Sequence, residues 1–96
     1  MSKTKVIFRM FEGEPIAIFP ELPGDYNPRL TCLSYQHIGQ HGAASVNLTD
    51  DTRPAKLAEY APLMAELTGL GYDLRIAHRA SQKDYQARVK ACEAAK

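Results

Sequence analysis

The sequence contains no tryptophan, only two cysteines, and no apolar run near the about 18 residues that a membrane-spanning helix needs. Cys32 and Cys92 lie far apart in the chain and form no CxxC pair. That excludes a disulfide-stapled scaffold and the usual zinc-ribbon or dithiol redox motifs. The amino-terminal "MSKTKVIFRMF" lacks the apolar segment of a secretory leader. Together these absences predict a soluble protein inside the cell with both thiols reduced. A large excess of charge is missing too. The net value is +1, which by itself selects no partner. Its distribution is uneven: residues 1–74 carry six Lys/Arg against nine Asp/Glu, residues 75–96 six against two. The basic end, with Arg75, Arg79, Lys83, Arg88 and Lys90, suits either an ordinary solvated helix or contact with nucleic acid.

What is present is ordinary for one small globular domain. The chain has 96 residues, 45% of them apolar, and five tyrosines to three phenylalanines. So short a chain buries a modest core, and a homodimer would add burial. Residues 5–11 and 16–19, rich in β-branched and aromatic side chains, predict two strands joined as a hairpin through a turn at 12–15. Three prolines, Gly24, Asp25 and Asn27 make 20–29 a long loop. Residues 30–38 alternate poorly, as a strand covered on both faces or interrupted by a bulge would. Residues 44–49 alternate cleanly and predict a fourth strand.

"DDTRPA" has the cap, acids and proline of a helix start, although Pro62 implies either a kink or a later start nearer Glu59. The stripe of that helix is Leu57, Tyr60, Ala61, Met64, Leu67 and Leu70, closed by Gly69 or Gly71. A fifth strand follows at 72–78. Ser81 and Asp84 then open a last helix with a thin stripe of Tyr85, Val89 and Cys92. The order predicts an α+β fold: a mostly antiparallel sheet of about five strands, one main helix on one face, and a carboxy-terminal helix. Residues 5–79 form the core, and residues 80–96 form a helix that is peripheral or packs at an interface.

The chemistry-bearing stretch is "SYQHIGQHGAAS", residues 34–45. His37 and His41 have the spacing of a helical zinc pair, but Gly39 and Gly42 and the strand-like flanks oppose a helix. On an extended strand four residues span ~13 Å, too far for shared ligation, and further ligands such as Cys32, His78 or Asp50 are needed. No metal or cofactor is therefore expected. A histidine-dependent hydrolase or phosphodiesterase is the enzymatic alternative, with Tyr35 or Ser34 orienting a histidine. It lacks a nucleophile motif, a carboxylate pair and a phosphate-binding loop. Binding fits the stretch better: Gly39 and Gly42 let backbone amides approach a ligand, and Tyr35, Gln36, His37, Gln40 and His41 offer mixed donors and acceptors. Tyr26 and Asn27 of the long loop are placed beside them. A structural bulge with hydrogen-bonded Gln and His side chains is the competing explanation.

The strings "VIFR", "FPE", "SYQHIGQHG" and "GYDL", within residues 5–79, resemble a set of small uncharacterised proteins encoded by bacteriophages, prophages and bacterial mobile regions. Members often carry a second Thr/Pro pair where this chain has "AKLAEY", which leaves its helix start open. No catalytic role comes with the resemblance. It implies a small accessory protein acting in the cytoplasm of a bacterial host. Such a protein would bind a host or defence protein, or sequester a nucleotide-like ligand, through residues 34–45.

Overall fold

The β-branched and aromatic residues of Thr4–Phe11 (β1) and Glu14–Phe19 (β2) pair as an antiparallel hairpin, with Ile7 opposite Ile18 and Phe11 opposite Glu14. Their turn is only Glu12-Gly13, with φ of 52° and 83°. This is the two-residue turn whose twist matches that of the strands it joins. The structure is a computed structural model that describes residues 3–25, 27–36 and 40–94, with the backbone alone at Gln40 and Thr49.

Thr31–Gln36 (β3) and Gln40–Ser45 (β4) extend the sheet in the order β4-β3-β2-β1, all antiparallel. After the helical turn Leu48–Asp51 (α1), two short strands share the far edge of β1. Arg53–Pro54 (β5) pairs antiparallel with Arg9 and Met10, and Leu74–Ala77 (β6) pairs parallel with Thr4–Ile7. Between those strands the chain crosses the sheet through Leu57–Gly69 (α2), and the last helix is Gln82–Ala94 (α3). The α+β expectation holds. The parallel β6 is an addition, made possible by the α2 crossover.

The sheet is covered on both faces. Val6, Phe8, Ala17, Phe19 and Tyr35 pack with Leu63 and Leu67 of α2. On the other face Ile7, Ile16, Ile18 and Cys32 are buried, with Phe11, Val46, Leu48 and Ala77 packed against them. Two-sided burial explains the poor alternation of β3. It also places Cys32 in an apolar setting, where desolvation raises its thiol pKa despite the nearby charge of Arg88. Cys32 and Cys92 are both free and buried.

Three predicted elements move. The strand placed at 44–49 is instead β4 at 40–45, because its partner β3 begins at Thr31, opposite Ser45. Val46 and Leu48 do pack inward, but from a turn and from α1. The main helix starts at Leu57, and Pro54 lies in β5, on a sheet edge where its missing N–H costs no ladder bond. The start beyond Pro54 is held by Glu59, whose carboxylate accepts the Lys56 backbone N–H at 2.9 Å. The buried stripe of α2 is Leu63 and Leu67 flanked by Tyr60 and Met64, whereas Leu57 is 66% exposed. Gly71, at φ 107°, supplies the left-handed residue after the helix.

The third change concerns α3. Its buried residues are Asp84, Arg88 and Cys92, not the Tyr85-Val89-Cys92 stripe. Positions i, i+4 and i+8 make one face, and here two of the three are charged. The helix docks by polar bonds on its own chain. Asp84 pairs with Lys5 of β1 at 2.6 Å and also accepts the Ser81 N–H at 2.7 Å, the Asp84 half of the expected capping box. Arg88 donates to the carbonyls of Pro20 (2.6 Å) and Pro28 (2.5 Å).

The 20–29 loop is folded tightly. Asp25 accepts the Asn27 N–H and the Thr31 hydroxyl, both at 2.7 Å, and these bonds hold its carboxyl below the ordinary range. Gly24 passes so near the β3–β4 ladder that a Cβ there would lie 2.5 Å from the Cys32 carbonyl oxygen and 2.8 Å from Ala43 Cα. Neither is a flexible side chain. Gly24→Ala is expected to destabilise by about 1–3 kcal/mol through overpacking, measured as a lower urea midpoint at unchanged slope.

A pH effect arises at the α2 start. Arg53 meets Glu59 with two bonds, 2.8 and 2.5 Å, and with the Lys56 N–H these pull the carboxyl from 4.5 to about 2. A depressed carboxylate contributes its stabilisation above its unfolded pKa and loses it as pH falls through the folded one. The pair is therefore intact above pH 4.5 and breaks towards pH 2. Because it is exposed, its effect on overall stability is small, and the check is an NMR titration of the Glu59 carboxyl. We expect a midpoint about 2 that returns towards 4.5 in Arg53→Met. A midpoint of 4.5 in the unaltered chain would contradict the geometry.

Candidate functional site

The β3–β4 ladder sets which of the residues in 34–45 meet. Tyr35 opposes His41, Ser34 opposes Gly42, and Gln36 opposes Gln40. Side chains alternate across a strand, so Tyr35 and His41 take the α2 face while Ser34, Gln36 and Gly42 take the other. Tyr35 is 2% exposed and belongs to the core. This corrects its assignment as a contact residue: it supports the site from beneath. His37, Gly39 and Tyr26 lie outside the described residues.

His41 sits on an aromatic row. Its ring meets Tyr35 edge-on at 4.6 Å, and its Nε2 lies 2.8 Å from the Tyr72 hydroxyl. Tyr72 in turn stacks on Phe19 at 5.1 Å. Either partner can donate in the His41–Tyr72 bond, according to the tautomer. Burial raises the pKa of the Tyr72 phenol, so it stays protonated at neutral pH. Tyr72 was not among the predicted site residues. It follows α2, and only the crossover brings it beside residue 41.

On the opposite face a cleft of about 380 Å³ follows the two strands. Phe11, Ile16 and Leu48 form its apolar floor and wall, while Ser34, Gln36 and Ser45 line it with polar groups. His41 and Gly42 also line it, and among the described residues no Asp, Glu, Lys or Arg takes part. Ser34 donates its hydroxyl to the Gly42 carbonyl at 3.0 Å, across from a residue with no side chain to block it. Gln36 and Gly42 thus share the cleft face, His41 lies in the same strand pair with its ring on the α2 face, and Gln40 is in the same ladder. Asn27 is not. Its carbonyl accepts the Thr31 N–H, and Thr31 pairs with Ser45, at the end of β3 remote from Gln36.

β4 is also the sheet's edge. The Val46 N–H bonds the Leu30 carbonyl, and the Leu33 N–H turns away from β4 to the Leu22 carbonyl. The two-residue alternation of an antiparallel ladder then directs the N–H groups of Gly42 and Ala44 towards β3, and those of His41, Ala43 and Ser45 outward. Residues 41–43 and 45 are exposed, and among the described residues no strand covers that edge.

The chemistry available to catalysis is thinner. Ser34 is committed to Gly42 and faces away from His41, so the two make no nucleophile–base pair. Among the described residues no three His, Cys, Asp or Glu side chains gather as a metal site. Of the basic residues considered for nucleic acid, Arg75, Arg79, Lys83 and Lys90 are exposed, but Arg88 is 5% exposed and bonded to loop carbonyls. That removes Arg88 from any such surface. No helix among the described residues is long and apolar enough to cross a membrane. Comparison with known proteins finds no matching family, no similar curated protein and no similar solved structure.

Proposed function

We infer that the chain is a small binding protein that captures an extended polypeptide segment on the outer edge of β4. The observation that carries this is an exposed strand edge with outward N–H groups beside an uncharged, half-apolar cleft. An added strand would take its main-chain bonds from His41, Ala43 and Ser45, the mode known as β-augmentation. Its alternate side chains would enter the cleft over Phe11, Ile16 and Leu48, and Gln36 would set polar specificity. The small side chains of Gly42, Ala43 and Ala44 leave the approach open.

This reading favours the protein-binding half of the expectation for residues 34–45. A nucleotide ligand needs cationic partners for its phosphate, and the described residues lining the cleft include none. The resemblance to phage and mobile-element proteins supports a host or defence protein as partner, acting in a bacterial cytoplasm. A second copy of the chain is the other polypeptide the same edge would accept.

Ala43→Pro tests the reading, since it deletes an outward N–H and leaves the β3 ladder bonded. Peptides selected from a random library on the full chain are expected to bind Ala43→Pro at least about tenfold more weakly, with little change in melting temperature. Equal affinity for the variant would refute strand addition. Dimerisation of the unaltered chain, lost in Ala43→Pro, would identify the partner as a second copy.

A further inference from the structure

The outer edge of β1 changes partner halfway along. β6 pairs with Thr4–Ile7 and ends at Ala77, the Phe8 carbonyl accepts the Ala55 N–H, and β5 then pairs with Arg9 and Met10. The chain leaving β6, His78–Ala80, therefore departs from the sheet beside Arg9. There it lines a cleft of about 440 Å³ with Arg9, Val46 and Asp50. This is within the about 300–1,000 Å³ common for small-molecule sites. It is separate from the β3–β4 cleft, sharing no lining residue with it.

Its chemistry is opposite to that of the first cleft. Two guanidiniums and an imidazole face one carboxylate. Arg9 is oriented from behind: its Nε donates to the Thr52 hydroxyl at 3.0 Å, and that hydroxyl donates to the Leu48 carbonyl at 2.6 Å. Among the described residues the Nη donors of Arg9 make no hydrogen bond, and neither Arg9 nor Arg79 is paired with Asp50. A half-buried, pre-oriented guanidinium with its outer donors unspent is suited to an oxyanion, which planar Arg groups bind through paired bonds. The Asp50 carboxylate disfavours a bare anion but accepts hydrogen bonds from hydroxyl groups.

We propose that the cleft between β1, α1 and the segment after β6 binds a phosphate ester bearing hydroxyl groups, of mononucleotide size. Arg9 and Arg79 take the phosphoryl oxygens, His78 flanks them, and Asp50 takes a sugar hydroxyl. The site does not depend on strand addition at β4, and it assigns the nucleotide-like ligand to a different part of the molecule from residues 34–45.

The test is NMR titration of the full chain with 5′-AMP, inorganic phosphate and a single-stranded oligonucleotide. 5′-AMP should shift the amides of Arg9, Val46, Asp50, His78 and Arg79 saturably, and bind more tightly than inorganic phosphate. Arg79→Ala, an exposed change, should weaken 5′-AMP by about tenfold without altering the melting temperature. Asp50→Asn should weaken 5′-AMP but not inorganic phosphate. Absence of saturable shifts in the cleft, or undiminished binding by Arg79→Ala, overturns the proposal. So does an oligonucleotide that shifts Arg75, Lys83 and Lys90 while 5′-AMP leaves the cleft unmoved, since the basic surface would then serve nucleic acid alone.

Discussion

Asp84→Ala is expected to remove about 3–5 kcal/mol of folding stability, the usual cost of breaking a buried ion pair from one side. The Lys5 ammonium lies 2.6 Å from the Asp84 carboxylate, with both side chains almost fully enclosed. Removing the carboxylate strands that charge in a site with little access to water. It also deletes the acceptor for the Ser81 N–H at the start of α3, a cap of about 1 kcal/mol. Small domains hold about 5–15 kcal/mol in total, so the variant should sit near the unfolding threshold. Urea denaturation measures the loss. The double substitution Lys5→Met with Asp84→Leu should recover most of it, because it removes the stranded charge as well as the pair. A single-variant loss below about 1 kcal/mol would mean that the pair is solvated and does not dock the helix.

Arg88→Met should cost about 2–4 kcal/mol, from the buried Pro20 carbonyl and the part-buried Pro28 carbonyl left without donors at about 1–3 kcal/mol each. The guanidinium reaches across 60 and 68 residues to bond Pro28 and Pro20, the two ends of the proline-rich loop, and lies over the Tyr85 ring at 5.6 Å. Methionine keeps the length and apolar packing, so the loss reports the polar bonds. The loop should become more susceptible to limited proteolysis, since the bonds from Arg88 to both of its ends are lost, while bonds such as Asp25–Thr31 and Leu22–Leu33 remain. Arg88→Lys should recover only part of the stability, as an ammonium lacks the planar fork that serves two carbonyls at once. Full recovery by lysine would contradict the two-carbonyl geometry.

The parts of this fold that were legible in the sequence rest on local signals. The β1–β2 hairpin follows from two apolar runs around a Glu-Gly turn, and the α3 start from Ser81 with Asp84 three residues later. The errors have long-range causes. Val46 and Leu48 carry a strand-like pattern because they face the core, yet the β3 partner they would need has ended. Leu63 replaces Leu57 in the α2 stripe because Pro54 is used in the sheet and the helix begins three residues after it. Asp84 and Arg88 are charged, so no apolar pattern marks the docked face of α3. Their partners are Lys5 and two proline carbonyls, distant in the chain.

The candidate site divides in the same way. Gln36, His41 and Gly42 share one ladder because β3 and β4, close in sequence, pair directly. Tyr35 is buried by the parity of its strand, and Asn27 is drawn to Thr31 by Asp25. Tyr72, which holds His41, reaches it only through α2. The strand edge and the uncharged cleft are likewise products of topology: β4 is outermost because α1 and α2 carry the chain to the other side of β1.

Amide hydrogen exchange on β4, compared free and with a selected peptide bound, tests the edge most directly. In the free chain the N–H groups of His41, Ala43 and Ser45 should exchange quickly while those of Gly42 and Ala44 are protected by β3. On binding, His41, Ala43 and Ser45 should become protected, with little change at Gly42 and Ala44. Protection of all three outward amides before any peptide is added, or no gain at them on binding, would contradict strand addition at this edge.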